Sequence, residues 1–573
     1  MSTETAGSAS EIRGLGVSAG TVVGPVVKVI PPVTLPSSEP APTDIGATQR
    51  SIGEALESVA AELERRAGLA KADGRAVLTA TAMMARDPSL LSSIGASLVS
   101  GLGPVTSLDT AIRQVVATFT AAGGYLAERA TDLLDVRDRA ASRLLGQPDP
   151  GLPPLERPSV ILAHDLAPSE TAIMDPAMVL AIVTEAGGPT SHTAILAAQL
   201  GIPAVVHAVG VLAIPAGTEI AVDGSSGQIL IEPDETVRAE FGERARIRAQ
   251  LLTQGSGPGR LADGGAVSLY ANVGTVGDAE QAGAADVEGV GLFRTEFMFL
   301  DRTTAPSLDE QIHSYSTVFA AFGSRPVTIR TLDAGADKPL AFASQDPEEN
   351  PALGVRGLRL SRRRSDLLST QLEAIAAAAD KTGAYARVMA PMVATVDEAD
   401  WFAAQCRAAG LRTVGVMIEV PSAALRARHV LASVDFASIG TNDLTQYVMA
   451  ADRLSGELAA LLDAWQPALL DLIHATSTGA AAASAGSDDG TAKPVGVCGE
   501  AAGDPLLALV LVGLGVSSLS MAVPKVPAVR LALSLHDRAT CVAMADAARS
   551  APGAVQARAA ALALAHADLQ LLF

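Results

Sequence analysis

The spacing of apolar residues changes along the chain between strand-like and helix-like patterns. Between Arg13 and Val29, apolar residues alternate with glycines, which predicts short strands joined by tight turns. Residues 44–146 keep the three- and four-residue apolar spacing of amphipathic helices, and strand spacing returns over 147–232. We therefore predict one α/β domain, formed by 1–43 and 147–232, into which a helical bundle of residues 44–146 is inserted.

The second half of the chain predicts a (β/α)₈ barrel, a TIM barrel, over residues 260–573. A charged helical stretch and a glycine-rich joint, residues 233–259, precede it. Short apolar strands then alternate with helical segments, which is typical of parallel βα units closing over ~250 residues. Eight strands are predicted, at 267–273, 289–293, 327–332, 386–391, 414–420, 436–439, 495–498 and 518–523.

Two further stretches of this half have an unusual composition. Residues 478–492 are mostly Ala, Gly, Ser and Asp, and we predict an exposed loop without a catalytic role. Residues 506–523 carry no charge over a length that can cross a bilayer, but Gly513 and Gly515 interrupt the run. A buried helix followed by a strand is therefore predicted, rather than a membrane span.

Composition limits the partners and the compartment. The sequence has 42 basic and 62 acidic residues, a net charge of −20, so we expect no nucleic-acid partner. Its 3 cysteines lack paired spacing, which argues against a disulfide framework and fits a reducing compartment. The first residues show no basic segment followed by an apolar one, so a cytoplasmic location without membrane insertion is expected.

A glycine-rich turn after the apolar run 179–183 carries the most informative motif. It reads Gly187-Gly-Pro-Thr-Ser-His192 and is followed by helical spacing. The unpaired N–H groups and positive dipole end of a helix favour an anion and disfavour imidazolium. A neutral His192 can then act as a nucleophile toward a phosphoryl group held in this turn. The alternative is a histidine that only caps a helix in an ordinary α/β unit.

Arginines stand where the second and third barrel strands end. Arg294 closes strand two, Arg330 lies near the end of strand three, and Arg356 lies in the loop that follows. Guanidinium groups bind phosphate and carboxylate through paired hydrogen bonds, so three arginines at one barrel mouth indicate a ligand with two or three negative charges. Taken singly, each arginine is more often a salt-bridge partner.

Two carboxylates and a cysteine follow later strands. Glu419 belongs to the end of strand five, and Asp443 follows strand six after Asn442. Carboxylates from neighbouring strand ends can hold Mg²⁺ together with water and ligand oxygens, although either can instead neutralise an arginine. Cys498 ends strand seven, where a cysteine is usually a packed apolar residue.

These segments together resemble the phosphoenolpyruvate-utilising enzymes. The turn ending at His192 is similar to the family's phosphohistidine signature. The blocks Arg-Thr-Glu-Phe from residue 294, Ile-Glu-Val-Pro from 418 and Gly-Thr-Asn-Asp-Leu-Thr-Gln-Tyr from 440 are similar to its substrate-binding blocks, in the family's order. The resemblance implies that His192 is the phosphorylated nucleophile, Glu419 and Asp443 are Mg²⁺ ligands, and Cys498 is the proton donor. The implied phosphoenolpyruvate contacts are Arg294, Arg330, Arg356, Asn442, Asp443 and Arg453.

Within this family the pattern fits the enzyme I branch of the sugar phosphotransferase system. Members that use ATP carry a large nucleotide-binding region before the phosphohistidine domain, whereas the first ~150 residues here show no glycine-rich nucleotide loop. The helical bundle resembles the insert that docks the phosphocarrier protein HPr. The resemblance implies transfer from phosphoenolpyruvate to His192 and then to HPr, release of pyruvate, a swivelling phosphohistidine domain and a homodimer formed through the barrel.

One position departs from the family pattern, and rival functions make distinct predictions. Ala167 stands where members often have threonine, so a hydroxyl contact to the imidazole is not expected. A relative using free phosphate or a nucleotide would show nucleotide-dependent turnover, and a silent homologue would lack some of the reactive residues, which are all present. An unrelated barrel lyase acting on a 2-oxo acid would leave the His192 domain without a role.

Overall fold

The computed structural model describes residues 10–570 apart from 37, 70–71, 123, 167–169, 171–173, 176, 189–192, 195–196, 198–199, 254, 300–301, 303, 336–339, 344–347, 454–455 and 486–492. The chain divides into two compact units, and the division lies between Arg246 and Ile247. Each unit is built on its own sheet.

The first unit contains a mixed sheet of eight strands in the order β1-β8-β7-β3-β4-β5-β6-β2. The strands are β1 Ser10–Arg13, β2 Leu15–Ser18, β3 Thr21–Lys28, β4 Ser159–Ala163, β5 Val179–Thr184, β6 Ala204–Val206, β7 Glu219–Asp223 and β8 Gln228–Ile231. β3 to β6 pair in parallel, and the remaining pairs are antiparallel.

Both faces of this sheet are covered. Along β4, Val160 and Leu162 belong to one core cluster, whereas Ile161 and Ala163 belong to another. Successive strand residues point to opposite faces, so an apolar run such as this one requires packing on both sides. His192, which follows β5 in the sequence, lies outside the described residues.

The segment between β3 and β4 is helical, as predicted. Its helices are α1 Ile45–Leu69, α2 Ala72–Ala85, α3 Pro88–Val99, α4 Pro104–Ala122 and α5 Gly124–Leu144. Their apolar faces form one core, which includes Leu56, Ile94 and Val136. Asp87 caps α3 by accepting the Ser89 N–H, and Pro88 occupies the first helical position, where its missing N–H costs nothing.

The second unit contains a closed parallel barrel. Its strands are β9 Ser268–Val273, β10 Val290–Arg294, β11 Val327–Arg330, β12 Ala386–Ala390, β13 Thr413–Ile418, β14 Phe436–Ile439, β15 Val495–Val497 and β16 Ser518–Met521. Every predicted strand overlaps an observed one, and β16 closes the barrel against β9. The predicted fold class, an α/β domain with an inserted helical bundle followed by a (β/α)₈ barrel, is confirmed; the domain limits given above stay predictions.

Helices alternate with these strands and continue to the C-terminal segment. They are α6 Glu235–Thr253, α7 Val276–Ala284, α8 Leu308–Phe322, α9 Leu358–Arg363, α10 Ser365–Thr382, α11 Val396–Ala408, α12 Pro421–Leu425, α13 Ala427–Val430, α14 Thr441–Met449, α15 Pro467–Ser484, α16 Pro505–Gly513, α17 Val526–Leu535, α18 Arg538–Arg549, α19 Ala554–Leu562 and α20 Ala567–Gln570. Among the helices described, none is long and apolar enough to cross a bilayer.

One prediction is wrong in part. The run 478–492 was expected to be a loop, but α15 continues through Ser484 and buries Ala480. Four consecutive alanines, 480–483, favour the helix strongly enough to outweigh the neighbouring Gly479 and the serines. Residues 486–492 lie outside the described part of the chain. The other stretch matches its prediction, since α16 is buried and β16 follows it.

His536, between α17 and α18, is buried and tied to the C-terminal segment. Its Nδ1 lies 2.7 Å from the Ala532 carbonyl oxygen, and its Nε2 accepts the His566 N–H at 2.9 Å. Nδ1 therefore carries the proton, and the ring is neutral. Burial lowers the pKa of His536 below its usual value.

Acid is expected to destabilise the second unit through His536. The unfolded chain takes up this proton at about pH 6.5, whereas the folded chain takes it up only at lower pH. The contribution to stability is thus full above about pH 6.5 and is lost as the pH falls towards the folded pKa. We expect His536→Gln to flatten the fall in the urea midpoint between about pH 7 and 5. Tryptophan fluorescence measures this, and equal slopes for both proteins would contradict it.

Candidate active site at the barrel mouth

The sequence-predicted site residues of the second unit gather at one end of the barrel. Arg294 and Arg330 are the last residues of β10 and β11. Glu419 follows β13 and Cys498 follows β15, each by one residue. Since parallel strands of a closed barrel all end at the same face, these side chains come together there.

A cavity of about 340 Å³ opens at this face. Asn442 and Asp443 reach it from the first turn of α14, and Arg453 reaches it from the segment after that helix. The site residues lining it are Arg294, Arg330, Glu419, Asn442, Asp443, Arg453 and Cys498. Its volume suits a small polar molecule.

Arg330 is held in place by two carboxylates. Its Nη2 donates to Glu296 Oε1 at 3.0 Å, and its Nη1 lies 3.2 Å from Asp333 Oδ2. Glu296 Oε1 also accepts the Asp333 N–H at 3.0 Å. Because the guanidinium is buried and paired on two sides, its position at the cavity wall is fixed before any ligand binds.

Arg356 extends this network from Asp333 to Asp443. Its Nη2 lies 2.9 Å from Asp333 Oδ2, and its Nη1 donates to Asp443 Oδ1 at 3.3 Å. Arg453 Nη1 approaches the other oxygen of Asp443 at 3.4 Å. Arg356 is thus placed behind the cavity lining, where it orients Asp443, and a chain of alternating charges joins Arg330 to Arg453.

Arg294 differs from these arginines. In the described part of the chain it has no carboxylate partner, although it lines the cavity. A guanidinium that faces a polar cavity without a protein counter-ion is suited to an anionic ligand.

Glu419 is completely buried, and its two oxygens differ. Oε1 accepts the Met392 N–H at 2.6 Å, whereas Oε2 has no hydrogen-bond partner among the described residues. Burial raises the pKa of Glu419, and the charges of Asp443 and Asp333 raise it further against the opposing effect of Arg330 and Arg356. A buried carboxylate in this state is stabilised by an added cation.

The residues therefore fit a divalent cation. Glu419, whose Oε2 has no hydrogen-bond partner among the described residues, lines the same cavity as Asp443. Hard cations such as Mg²⁺ prefer carboxylate oxygens and keep several waters. Within the described residues there is no cluster of three or more His, Cys, Asp or Glu suited to a metal. Water and oxygen atoms of a bound molecule would complete the coordination of such a cation.

Cys498 is buried beside the same cavity. Its thiol donates to the Ile439 carbonyl oxygen at 3.6 Å. Burial raises the pKa of Cys498 above the usual thiol value, so the sulfur keeps its proton at neutral pH. Asn272, at the end of β9, donates to the Cys498 carbonyl oxygen at 3.1 Å and holds this segment in place. The thiol can therefore act as an acid toward a molecule in the cavity.

Asn442 is oriented by the segment after β15. Its Oδ1 accepts the Glu500 N–H at 3.1 Å, and the Glu500 carboxylate pairs with Lys525 at 3.2 Å. With its oxygen occupied in this way, the Asn442 side chain has its NH₂ group available as a donor to a ligand oxygen.

The structure thus brings together all the predicted site residues except His192, which lies outside the described residues. The sequence analysis gave no role to Glu296, Asp333, Asn272 or Met392. Glu296 lies two residues after Arg294, and Asp333 lies three residues after Arg330. Their charges at the same strand ends could therefore have indicated them as partners of the arginines. No comparable signal marks Met392, because its contribution comes from its backbone.

Three family models match the chain in order. They are "PEP-utilising enzyme, N-terminal" at residues 13–129, "PEP-utilising enzyme, mobile domain" at 155–227 and "PEP-utilising enzyme, PEP-binding domain" at 248–538. A Phosphoenolpyruvate-protein phosphotransferase of Streptomyces coelicolor is 49% identical over 96% of this chain and 99% of its own length. The chain belongs to the phosphoenolpyruvate-protein phosphotransferases, a branch of the phosphoenolpyruvate-utilising enzymes.

Other relatives agree with this assignment. A phosphoenolpyruvate-protein phosphotransferase of Haloferax volcanii is 39% identical, over 84% of this chain and 86% of its own length. A Multiphosphoryl transfer protein of Xanthomonas campestris is 40% identical over 91% of this chain, which spans 63% of that longer protein. The family predicted from the motifs is confirmed, and the protein is an enzyme of the phosphotransferase system that uses phosphoenolpyruvate.

Proposed function

We propose that the enzyme transfers the phosphoryl group of phosphoenolpyruvate first to His192 and then to a histidine of the phosphocarrier protein HPr, and releases pyruvate. The observation that carries the proposal is the convergence of Arg294, Arg330 and Arg453 with Glu419 and Asp443 on one small cavity. Phosphoenolpyruvate carries phosphate and carboxylate groups, and such a cavity offers it both guanidinium donors and a cation site.

The arginines and Asn442 position the substrate. Arg294, which has no carboxylate partner in the described chain, and the braced Arg330 and Arg453 would contact its anionic groups, with Asn442 and the Asp443 backbone as further donors. Arg356 acts indirectly, because it orients Asp443. Mg²⁺ held by Glu419 and Asp443 would neutralise negative charge on the phosphate.

The transfer itself is a displacement at phosphorus. Nε2 of His192 forms the new bond to phosphorus as the bond from phosphorus to the enol oxygen breaks, and that oxygen leaves as the enolate of pyruvate. The Cys498 thiol then gives its proton to C3 of the enolate, and the thiolate recovers a proton from solvent. The raised pKa of Cys498 supports this role, because the group must hold its proton until the enolate forms.

The decisive experiment follows the phosphoryl group. The protein is incubated with phosphoenolpyruvate labelled at phosphorus and with Mg²⁺, with and without HPr, beside His192→Ala and a control, His164→Ala, whose side chain is exposed. Acid-labile label on the wild type and on the control, absent from His192→Ala and moved onto HPr, is expected. Label that stays on the protein would contradict HPr as acceptor, and no label at all would contradict the whole proposal.

Replacing Cys498 is expected to change how pyruvate is protonated. Without the thiol, the enolate takes its proton from solvent, so product release from Cys498→Ala slows by roughly 10²-fold or more. Turnover in heavy water of a substrate labelled stereospecifically at C3 tests this. The wild type is expected to add deuterium to one face of the enolate at C3, and the variant is expected to add it to both faces. Cys406→Ala, a buried cysteine in α11, is the control, and one-sided deuteration by Cys498→Ala would contradict the assignment.

We further propose a homodimer formed through the barrel unit, supported by the resemblance to enzyme I. Light scattering at micromolar concentration with Mg²⁺ and phosphoenolpyruvate is expected to give twice the chain mass. A monomer under these conditions would contradict it.

A further inference from the structure

The backbone at Met392 has an uncommon conformation beside Glu419. Met392 follows β12 and Pro391, is buried, and has a φ of +60°. A residue with a side chain enters this left-handed region at a cost of roughly 1–2 kcal/mol. Such a residue persists only where the surrounding structure holds it, and these positions concentrate at functional sites.

The conformation directs one hydrogen bond. The Met392 N–H donates to Glu419 Oε1 at 2.6 Å, and among the described residues Glu419 Oε2 has no partner. One carboxylate oxygen is thus fixed by the backbone, while the other stays available to a ligand from outside the chain. Among the described residues, this is the one hydrogen bond that the Glu419 carboxylate makes.

The Met392 side chain packs against Gly357 and lies near Tyr447. A Cβ placed on Gly357 would lie 3.0 Å from both Cβ and Cγ of Met392, and Gly357 itself has a φ of +57°. The Tyr447 hydroxyl lies 3.9 Å from Met392 Sδ. Met392 therefore contacts the turn that follows Arg356, so its backbone is held between that turn and Glu419.

We propose that Met392 is a positioning residue whose left-handed backbone fixes which oxygen of Glu419 faces the divalent cation. The inference rests on the cation site of the proposed function. A group that orients a metal ligand typically changes metal affinity 10- to 100-fold when it is lost. Met392 would act in the same way through its main chain, which explains why a side chain is tolerated in a conformation that favours glycine.

Two substitutions that introduce isomeric side chains separate the effect of the Met392 backbone conformation from the effect of its side-chain packing. Met392→Leu conserves the size of the side chain without a branch at Cβ, so it can adopt the left-handed region about as well as methionine. Met392→Ile has the same number of atoms as the leucine variant, but its branched Cβ strongly disfavours that region. Mn²⁺ binding, measured from the free-ion electron paramagnetic resonance signal, is the readout, with thermal unfolding to check that each variant folds.

The expected result is Mn²⁺ binding within about threefold of wild type for Met392→Leu and roughly 10- to 100-fold weaker for Met392→Ile. Equal losses in both variants, or none in either, would overturn the inference. Should Met392→Ile fail to fold, Met392→Gly replaces it. Glycine adopts this φ freely, so wild-type-like affinity supports the backbone role, and an affinity loss of 10-fold or more overturns it.

The same measurements separate this inference from the proposed function. Mn²⁺ binding that Glu419→Gln abolishes establishes the cation site independently of Met392. If Glu419→Gln binds as tightly as wild type, the cation site itself is wrong. If Glu419→Gln loses binding and Met392→Ile does not, only the role of Met392 is wrong.

Discussion

Replacing Glu419 with glutamine is expected to abolish nearly all phosphoenolpyruvate-dependent phosphorylation. The substitution keeps the shape of the side chain but removes a buried negative charge whose Oε2 has no partner in the described chain. Losing a metal ligand at a site of charge neutralisation removes several kcal/mol of transition-state stabilisation. A loss of roughly 4 kcal/mol corresponds to about a 10³-fold fall in kcat/KM. Initial rates of pyruvate release over a range of Mg²⁺ concentrations measure it.

A matched substitution controls for the chemical change. Glu373 is exposed on α10, away from the cavity lining, so Glu373→Gln is expected to retain the wild-type rate and Mg²⁺ dependence. Activity of Glu419→Gln within tenfold of this control, with unchanged Mg²⁺ dependence, would show that Glu419 is not a ligand.

Removing Glu170 is expected to destabilise the first unit by about 3–5 kcal/mol. Its buried carboxylate accepts hydrogen bonds from Arg139 of α5 and, at 2.6 Å, from the Leu152 N–H, and it pairs with Arg66 of α1 at 3.3 Å. Arg139 is only 1% exposed. Glu170→Ala therefore leaves the buried Arg139 guanidinium with Asp135 as its one carboxylate partner among the described residues.

The distribution of tryptophans allows this effect to be assigned to one unit. Both tryptophans of the sequence, Trp401 and Trp465, lie after the division at residue 246, so their fluorescence reports only on the second unit. Circular dichroism reports on both. In urea, Glu170→Ala should shift the dichroism transition and leave the fluorescence transition unchanged.

An exposed ion pair serves as the control for Glu170. Glu243 pairs with Arg246 on α6, where both side chains are more than half exposed. Glu243→Ala is expected to cost less than about 1 kcal/mol. Equal effects of the two substitutions would mean that the Glu170 pairs contribute no more than a surface salt bridge.

The barrel was predictable from sequence because its strands are short apolar runs with polar residues at their ends. The predicted strand 414–420, for example, corresponds to β13 Thr413–Ile418. The 478–492 run was harder, because a low-complexity composition does not distinguish an exposed loop from a helix extended by alanines. The high helix propensity of the four alanines determines the structure up to Ser484, and the overall composition of the run does not indicate this.

For the site, the positions of the functional groups were predictable and their pairings were not. Arg330 was open to two interpretations, a salt-bridge partner or an anion ligand; it pairs with Glu296 and Asp333 while lining the cavity. Arg356 meets Asp443 across 87 positions of sequence, and only the paths of the loops bring them together. The φ of Met392 likewise depends on contacts that sequence spacing does not encode.

Closure of the barrel between β9 and β16 has a consequence for synthesis on the ribosome. β9 ends at Val273, but its partner β16 begins only at Ser518, so β9 keeps an unpaired edge while the intervening chain is made. The wholly apolar α16 contacts α17 and α18, which emerge later still. The nascent barrel thus exposes the edge of β9 until β16 has been made, and the apolar α16 until α17 and α18 have followed. Chains that expose such surfaces during synthesis are prone to aggregate and depend on chaperones.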